Sequence, residues 1–148
     1  MTAKSISLLQ RDLQSGKWYD TGMNKVRLLL DRQETESVEV LLNVFPAGIQ
    51  TPLHSHPEKE QVFFILEGTG TIYIADQGFK VEPGQIVFVP RNTPHRTDAD
   101  SERDLRYLVV NSFTDKKQLD APSFAEHWEK LLPSRQAAGR QAGYLKEA

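Results

Sequence analysis

The stretch TPLHSHPEKEQVFFILEG, Thr51 to Gly68, contains the residues that decide the fold. Its first half places a histidine on either side of Ser55, and its second half is an apolar run that ends in a glycine. On an extended chain alternate side chains point the same way, so His54 and His56 face one point while Ser55 faces away. Two imidazoles aimed at one point are typical of the start of a metal site.

The apolar runs around this stretch predict an all-β chain. They are short, rich in Val, Ile, Phe and Tyr, and separated by turns that contain Gly, Pro or Asn, as β-strands are. The predicted strands span 26–30, 38–45, 61–66, 71–75, 79–82, 85–90 and 105–113. This spacing, with almost no helix between the strands, indicates a β-sandwich or a small barrel.

The length of 148 residues predicts one domain. Within it we expect N-terminal strands and an arm over 1–35, a barrel core over 36–115 and a C-terminal helical tail over 116–148.

The tail carries the signals of an amphipathic helix. Ser123 and Glu126 have the spacing of a capping box. The apolar residues that follow fall on one helical stripe, namely Phe124, Trp128, Leu131 and Leu132. Pro133 is predicted to end this helix, and a second short helix is predicted after it.

The composition excludes several classes of partner. The 18 Lys and Arg nearly balance the 20 Asp and Glu and are scattered, so neither nucleic acid nor an anionic membrane is expected as a partner. The chain has no cysteine, so any metal must be held by nitrogen and oxygen. The N-terminus lacks the apolar segment of a signal peptide, and no apolar run approaches a membrane span. We therefore expect a cytoplasmic protein that binds a small molecule.

The strand at 61–66 has apolar residues at both odd and even positions, whereas a strand with one solvent-exposed face alternates apolar and polar residues. One face would line the barrel interior, and the other needs a cover. The C-terminal helix or a second subunit could supply that cover, and we expect a homodimer.

The histidines belong to two longer patterns, through which the chain resembles the cupin superfamily. At the spacing of the first cupin motif, a glycine, His-x-His and a closing glycine, the chain has Gly48, His54, His56 and Gly68. At the spacing of the second it has Gly84, Pro90 and His95. The resemblance implies a cupin jelly-roll β-barrel, here with a short C-terminal helical extension, and it implies that His95 joins the first two histidines around one metal ion.

The chain departs from the cupin motifs at two positions that matter. Asn92 stands where the second motif has its inner glycine, and asparagine tolerates a left-handed backbone. The glutamate of the first motif falls on Gln61 when counted back from Gly68, and on Glu60 when counted forward from the histidines. The downstream spacing favours Gln61 as the fourth ligand, with Glu60 as the alternative.

Three imidazoles and one amide oxygen form a neutral ligand set that suits one divalent Mn, Fe, Ni or Zn ion. Because no ligand offsets the charge of the ion, the cavity should favour an anionic substrate, and the chemistry expected is Lewis-acid catalysis. Two further residues are candidate catalytic groups: Tyr73 as a phenol at the cavity rim, and Arg106 on the last strand as a carboxylate-binding group. Asn111 has the opposite parity to Arg106, so at most one of them faces the metal. His127, in the predicted helix, is expected on the helix surface.

The resemblance implies three candidate functions. The first is isomerisation or lyase-type proton transfer on a carboxylated or carbonyl-bearing metabolite, such as a sugar or uronate. The second is an Fe- or Ni-dependent dioxygenase, against which Gln61 counts because dioxygenases resembling this fold usually carry histidines with or without a glutamate. The third is a non-enzymatic cupin that binds a small molecule. Cupin-type dimethylsulfoniopropionate lyases place a phenolic base two residues after the acidic ligand, where this chain has Phe63.

Overall fold

Nine strands and one long helix make up the described part of the chain. The computed structural model describes residues 9–146, and residues 1–8 of the predicted arm and 147–148 of the predicted tail lie outside this range. The strands are β1 (Trp18–Asp20), β2 (Lys25–Leu30), β3 (Val38–Phe45), β4 (Lys59–Glu67), β5 (Gly70–Ile74), β6 (Gln77–Val81), β7 (Ile86–Val89), β8 (His95–Ala99) and β9 (Leu105–Phe113). Short 3-10 helices span Arg32–Glu34 and Lys116–Gln118, and the helix α1 spans Phe124–Gln141.

The strands form two antiparallel sheets that enclose one core. The larger sheet has six strands in the order β1-β2-β3-β9-β4-β7, and the smaller has three in the order β6-β5-β8. Side chains from both sheets meet in one buried cluster, in which Ile65 and Val109 come from the larger sheet and Ile72 and Val81 from the smaller. Two sheets packed face to face in this way form a jelly roll, so the predicted all-β class and architecture are confirmed.

All seven predicted strands are present, and two more exist that the sequence pattern did not indicate. β1 has only three residues, and β8 reads HRTDA, with almost no apolar side chain. β8 nevertheless pairs along its whole length with β5, which places Ile74 opposite His95. Its inward positions hold polar groups, so the alternation of apolar residues that reveals a strand is missing.

β4 decides which side chains enter the barrel. It pairs with β9 on one edge and with β7 on the other. Its buried residues are Lys59, Gln61, Phe63 and Ile65, whereas Glu60 and Phe64 point outward and are exposed. Gly68 follows the strand at φ 78°, where a Cβ atom would lie 2.2 Å from the carbonyl oxygen of Asp104. Only glycine fits at this position, so the turn sets where β4 stops.

The outer face of β4 and β7 carries exposed apolar side chains. Phe64, Ile86 and Phe88 retain 44%, 65% and 51% of their accessible surface. Phe64 pairs with Ile86 across the two strands. The helix α1 lies elsewhere, because Phe124 and Trp128 contact the ring of Tyr19 on β1. Of the C-terminal helix and a second subunit, the two covers considered for this face, the helix is therefore excluded.

The helix α1 is longer than predicted. It begins after Ser123, whose Oγ accepts a hydrogen bond from the backbone N–H of Glu126, as the capping pattern predicts. The prediction that Pro133 ends the helix is wrong, because α1 continues through it to Gln141. Proline removes one backbone hydrogen bond, but Trp128 before it and Gly139 after it are both buried, and this packing holds the two halves in line. Neither α1 nor any other helix within residues 9–146 is long and apolar enough to cross a membrane.

Candidate metal centre

Three histidines converge inside the barrel. The side chains of His54, His56 and His95 each offer a ring nitrogen, and these nitrogens lie within 4.8 Å of one another. The backbones of His54 and His95 form an isolated antiparallel bridge, with N–H to carbonyl distances of 3.0 and 2.8 Å. Ser55 is exposed, as the predicted alternation requires. The fold therefore brings His95 to the two histidines that the sequence already placed together.

Hydrogen bonds to backbone carbonyls orient two of the three rings. The Nδ1 atom of His54 lies 3.0 Å from the carbonyl oxygen of Pro52, and that of His95 lies 2.9 Å from the carbonyl oxygen of Thr93. A carbonyl oxygen can only accept, so each Nδ1 carries the proton and each Nε2 is left with a free lone pair. This is the ring orientation that histidine ligands of metals adopt in proteins.

The three imidazoles are uncharged at neutral pH. Burial lowers the pKa of His54 to about 3, and the nearby Arg135 guanidinium and His95 ring act in the same direction. Burial also lowers the pKa of His56, with Lys59 as the next contribution, and burial lowers the pKa of His95. Their lone pairs are consequently available to a cation without the loss of a proton.

A chain of buried polar groups fixes the amide of Gln61. The carboxylate of Glu39 accepts hydrogen bonds from Nε and Nη2 of Arg32 at 2.7 and 3.1 Å, and from Nδ2 of Asn111 at 3.2 Å. Because a carboxylate only accepts, Asn111 must present its NH₂ group to Glu39 and its Oδ1 to Gln61. Nε2 of Gln61 donates to that Oδ1 at 2.8 Å. The Oε1 atom of Gln61 is therefore the amide atom without a hydrogen-bond partner in this chain of polar groups.

Three buried polar atoms of residues that line this cavity have no hydrogen-bond partner among residues 9–146. They are Nε2 of His95, Oε1 of Gln61 and Oδ1 of Asn43, and the first two are candidate ligand atoms in the same cavity as His54 and His56. A buried acceptor without a donor is costly, so such atoms call for a bound group. Three ring nitrogens and an amide oxygen fit a divalent transition metal. Glu60, the alternative fourth ligand, points away from the cavity.

The cavity in front of these atoms has a volume of about 150 Å³. Much of its wall is apolar and comes from the barrel and from α1, including Met23, Val26, Phe63, Val109, Phe124, Trp128 and Leu131. No Asp or Glu within the described range lines it. The wall thus offers apolar surface and cationic or neutral polar groups only.

Several residues that line the cavity were not identified from the sequence. Lys59 is only 6% exposed, and its Nζ lies 4.0 Å from the nearest carboxylate oxygen, that of Glu58. Arg135 reaches the cavity from α1. Burial lowers the pKa of both groups. Lys59 has the same parity as Gln61 on β4, which was the available clue, whereas only the unbroken helix brings Arg135 to the cavity.

His127 lies in the cavity wall rather than on the helix surface, where the sequence predicted it. Its Nδ1 lies 2.9 Å from a carboxylate oxygen of Asp120, which only accepts, so Nδ1 carries a proton. Burial lowers the pKa of His127, and the hydrogen bond to Asp120 partly offsets this effect.

The structure does not bring the two predicted catalytic residues to the cavity. Tyr73 lies on the outward side of β5, with its ring 4.4 Å from the guanidinium carbon of Arg96. Arg106 is half-buried on β9, and its Nε lies 3.7 Å from a carboxylate oxygen of Glu67. Side chains alternate along β9, so Asn111, of opposite parity, is the residue that lines the cavity.

The phenol that does line the cavity is Tyr107. Its hydroxyl lies 2.8 Å from the hydroxyl of Thr97, and burial raises its pKa above the ordinary value. Tyr107 shares its parity on β9 with Asn111, so strand alternation was the signal that could have found it.

Comparisons with known proteins give one family model and several curated relatives that match part of this chain. The family model of the cupin domain matches residues 40–111. An uncharacterised protein of Methanocaldococcus jannaschii is 34% identical over 68 residues, which cover 46% of this chain and 54% of that protein. Auxin-binding protein 1 of Arabidopsis thaliana is 31% identical over 86 residues, which cover 52% of this chain and 43% of that protein. The chain spans about half the length of the curated relatives it matches.

A solved structure shows the same architecture. The cupin domain of Schizosaccharomyces pombe Cnp3 superposes with a TM-score of 0.62 at 19% identity, over 69% of this chain and 72% of that one. At this identity the likeness shows the fold alone. The segment matched by the family model contains both histidine motifs and extends from β3 to Asn111 on β9. The jelly roll and the family match together show that residues 40–111 form a cupin domain.

Proposed function

We propose that this cupin is an enzyme that holds one divalent transition metal, Mn, Fe, Ni or Zn, through His54, His56, His95 and Gln61. It would use the metal as a Lewis acid for isomerisation or lyase-type proton transfer on a small carboxylated or carbonyl-bearing metabolite, such as a sugar or uronate. The observation that carries the proposal is the pair of buried atoms without partners, Nε2 of His95 and Oε1 of Gln61, in one cavity with the other two imidazoles.

The residues that form the site have different roles. His54 and His95 are held by their Nδ1–H bonds, and Gln61 is held by Asn111, so the donor atoms are ordered before a cation arrives. A divalent ion held there supplies Lewis acidity, which polarises a carbonyl oxygen and stabilises the negative charge that develops as a proton moves. Because the ligands are neutral, a substrate anion would supply the missing negative charge.

His127 is the candidate proton carrier. Asp120 holds the proton on Nδ1, which leaves Nε2 to accept a proton from a substrate and to return it. Tyr107 is a weaker candidate base, because its raised pKa keeps the phenol protonated at neutral pH. A protonated phenol can instead donate a hydrogen bond to substrate.

A second candidate function is non-enzymatic binding of a small molecule. It is favoured by relatives from Arabidopsis thaliana and Zea mays that are named as auxin-binding proteins. A dioxygenase has less support, because Gln61 stands in the ligand set, whereas dioxygenases resembling this fold usually carry histidines with or without a glutamate. The position of the phenolic base of cupin-type dimethylsulfoniopropionate lyases holds Phe63, whose ring stacks at 4.5 Å on Tyr107 and offers no proton.

Metal analysis tests the site. Protein purified without chelator should contain about one divalent ion per chain, and His95→Ala should lose it. Gln61→Ala should weaken binding at least tenfold, whereas Glu60→Ala, the matched control on the outward face of β4, should bind like the wild type. A wild type that cannot be loaded with Zn, Mn, Ni or Fe, or a larger loss for Glu60→Ala than for Gln61→Ala, would overturn the proposed ligand set.

Turnover assays separate the candidate functions. The metal-loaded protein should exchange a substrate proton for deuterium with keto sugars or unsaturated uronates, and His127→Gln should slow this exchange. Oxygen uptake with diketones, catechols or flavonoids would instead identify a dioxygenase. Binding of such compounds without exchange or oxygen uptake would favour the binding function.

We also propose that a second copy of the chain covers the outer face of β4 and β7. Phe64, Ile86 and Phe88 form an exposed apolar group there, of the kind that marks protein interfaces. Light scattering after gel filtration should show a dimer, and Ile86→Asp should convert it to a monomer. Leu13→Asp, which changes an exposed residue beside Arg27 on β2, toward the opposite edge of the larger sheet, is the control. A monomeric wild type would refute the proposal.

A further inference from the structure

Two positive side chains face the cavity without an anionic partner at hydrogen-bond distance. Lys59 is buried on β4, and its closest carboxylate oxygen is 4.0 Å away, on Glu58. Arg135 is half-buried on α1 and forms no hydrogen bond or ion pair with any residue of the described range 9–146. Burying a charge is unfavourable unless it is paired. Glu58, at the limit of an ion pair, offsets the charge of Lys59 only in part, and Arg135 has no anionic partner in the described range, so an anion that is not part of the protein fold would complete the pairing.

The surroundings strengthen this requirement. Within residues 9–146, none of the groups that line the cavity is an Asp or a Glu. Lys59 lies two residues before Gln61 on the same face of β4, and both Lys59 and Arg135 line the cavity that contains the three histidines. A divalent cation at the triad would add to the excess of positive charge. The field inside the cavity thus selects for a negative ligand.

We propose that the cavity binds one small organic carboxylate, with its carboxylate group held by Lys59 and Arg135 and its apolar body against α1. The inference rests on the proposed function, because it names the substrate class for the same cavity. The fork of an arginine matches the two oxygens of a carboxylate, and a buried lysine adds a point charge. The apolar body would contact Phe124, Trp128 and Leu131, which line the cavity from the same helix.

The volume limits the size of this ligand. A cavity of about 150 Å³ is roughly what holds benzene in an apolar protein interior. The ligand therefore has on the order of ten non-hydrogen atoms or fewer. An apolar wall also distinguishes a carboxylate with a hydrocarbon body from inorganic phosphate, which has no apolar part to bury.

Arg135 makes α1 part of the binding site. It lies after Pro133 on the helix, so it reaches the cavity only because the helix continues through the proline. Arg140, on the same helix, does not line the cavity and provides a matched control.

Fluorescence of Trp128 can report binding directly. The chain contains two tryptophans: Trp128, which lines the cavity and is 8% exposed, and Trp18, which is 37% exposed. In a Trp18→Phe background Trp128 is the single reporter. The probes are acetate, pyruvate and benzoate, each titrated beside its neutral amide, together with inorganic phosphate. Each titration is done with metal-free protein in chelator and with Zn-loaded protein.

The inference predicts that at least one carboxylate binds in both states, at least tenfold more tightly than its amide. Arg135→Gln should weaken that carboxylate tenfold to a hundredfold, the range for losing a charge-assisted hydrogen bond. Arg135→Lys should recover part of the affinity, Lys59→Gln should also weaken binding, and Arg140→Gln should change it less than about twofold. Circular dichroism and Zn stoichiometry of each variant show whether the fold and the metal site are intact.

Three results would overturn the inference: no carboxylate of the panel binds, phosphate binds more tightly than every carboxylate, or Arg135→Gln binds like the wild type. Its failure can be told apart from that of the proposed function. Carboxylate affinity that depends on Arg135 in a protein that takes up no metal would support the carboxylate site and refute the metal enzyme. Full metal loading without carboxylate binding would do the reverse.

Discussion

The buried chain of polar groups from Arg32 to Gln61 makes Glu39→Gln the most informative substitution in this protein. Glu39 is 0% exposed and Arg32 is 1% exposed, and the carboxylate accepts from both Arg32 and Asn111. Glutamine has nearly the same shape but no charge, and it can donate as well as accept. The substitution therefore changes two properties at once: the charge balance around Arg32, and the direction of the hydrogen bonds toward Gln61.

The loss of charge should lower stability strongly. Arg32 would keep its positive charge in a buried site with only Asp120, 3.5 Å from its Nη1, as an anionic partner, and removing one partner of a buried ion pair costs about 3–5 kcal/mol. For a domain of this size about 1 kcal/mol shifts the melting temperature by about 2–4 °C, so Glu39→Gln should melt about 6–20 °C lower than the wild type. The double variant Arg32→Met/Glu39→Gln removes both partners and should recover a large part of this loss.

The reversed hydrogen bonds should weaken metal binding. The amide of residue 39 could donate to Oδ1 of Asn111, which would then turn its NH₂ group toward Gln61. Gln61 would have to accept that hydrogen bond with Oε1, and its NH₂ group would face the cavity in place of the oxygen. Loss of such support for a ligand typically costs about tenfold to a hundredfold in metal affinity.

Thermal unfolding in chelator measures the first effect without a contribution from metal, and Zn competition titration at a temperature well below melting measures the second. The reasoning on charge fails if Glu39→Gln melts within about 2 °C of the wild type, or if the double variant is no more stable than the single one. The reasoning on orientation fails if folded Glu39→Gln binds Zn as tightly as the wild type.

Three further predictions concern stability and are checked by unfolding in urea. Glu34→Gln should cost about 0.5 kcal/mol at pH 7, because Glu34 forms a half-buried ion pair with Arg11. This pair lowers the pKa of Glu34, so its contribution to stability is present above the unfolded pKa of about 4.5 and is lost as the pH falls through the folded pKa. A stability difference between the variant and the wild type that persists at pH 3 would contradict this account. Gly68→Ala should cost at least about 2 kcal/mol, because a carbonyl oxygen occupies the Cβ position. Gly84→Ala is the control and should cost about 1 kcal/mol, because Gly84 also has a positive φ but has open space around it. Equal losses of stability in the two variants would rule out the steric argument. Pro133→Ala should stabilise the protein by about 1–3 kcal/mol by restoring a helical hydrogen bond, and a loss of stability would speak against a continuous helix.

Local patterns predicted most of the fold. The strands at β3 and β9 have the predicted bounds, because long runs of Val, Leu and Phe leave no other local structure open. β8 was not predicted, because its inward residues His95 and Thr97 are polar side chains that face the cavity. The continuation of α1 through Pro133 was mispredicted for a related reason: local preference ends the helix there, and only packing on both sides of the proline outweighs it.

The position of Asn92 shows how far spacing alone can reach. The sequence predicted that this asparagine replaces a glycine in a left-handed turn, and its φ is 59°. Counting back from Gly68 at the spacing of the first cupin motif favoured Gln61 over Glu60, and Gln61 is the one of the two that points inward on β4. The approach of His95 to the other two histidines required the known spacing of a family as well.

The sequence by itself determined the all-β class and the pairing of His54 with His56, because both depend on neighbours along one strand or one turn. The preference for Gln61 over Glu60 also needed the spacing of the cupin motif. Only the tertiary structure decided which other side chains share their cavity. It placed Asn111, Lys59, Arg135 and His127 there and left Tyr73 and Arg106 outside, because these placements depend on pairing between distant strands and on how a helix packs against the barrel. Such contacts do not produce a periodic pattern of residues in the sequence.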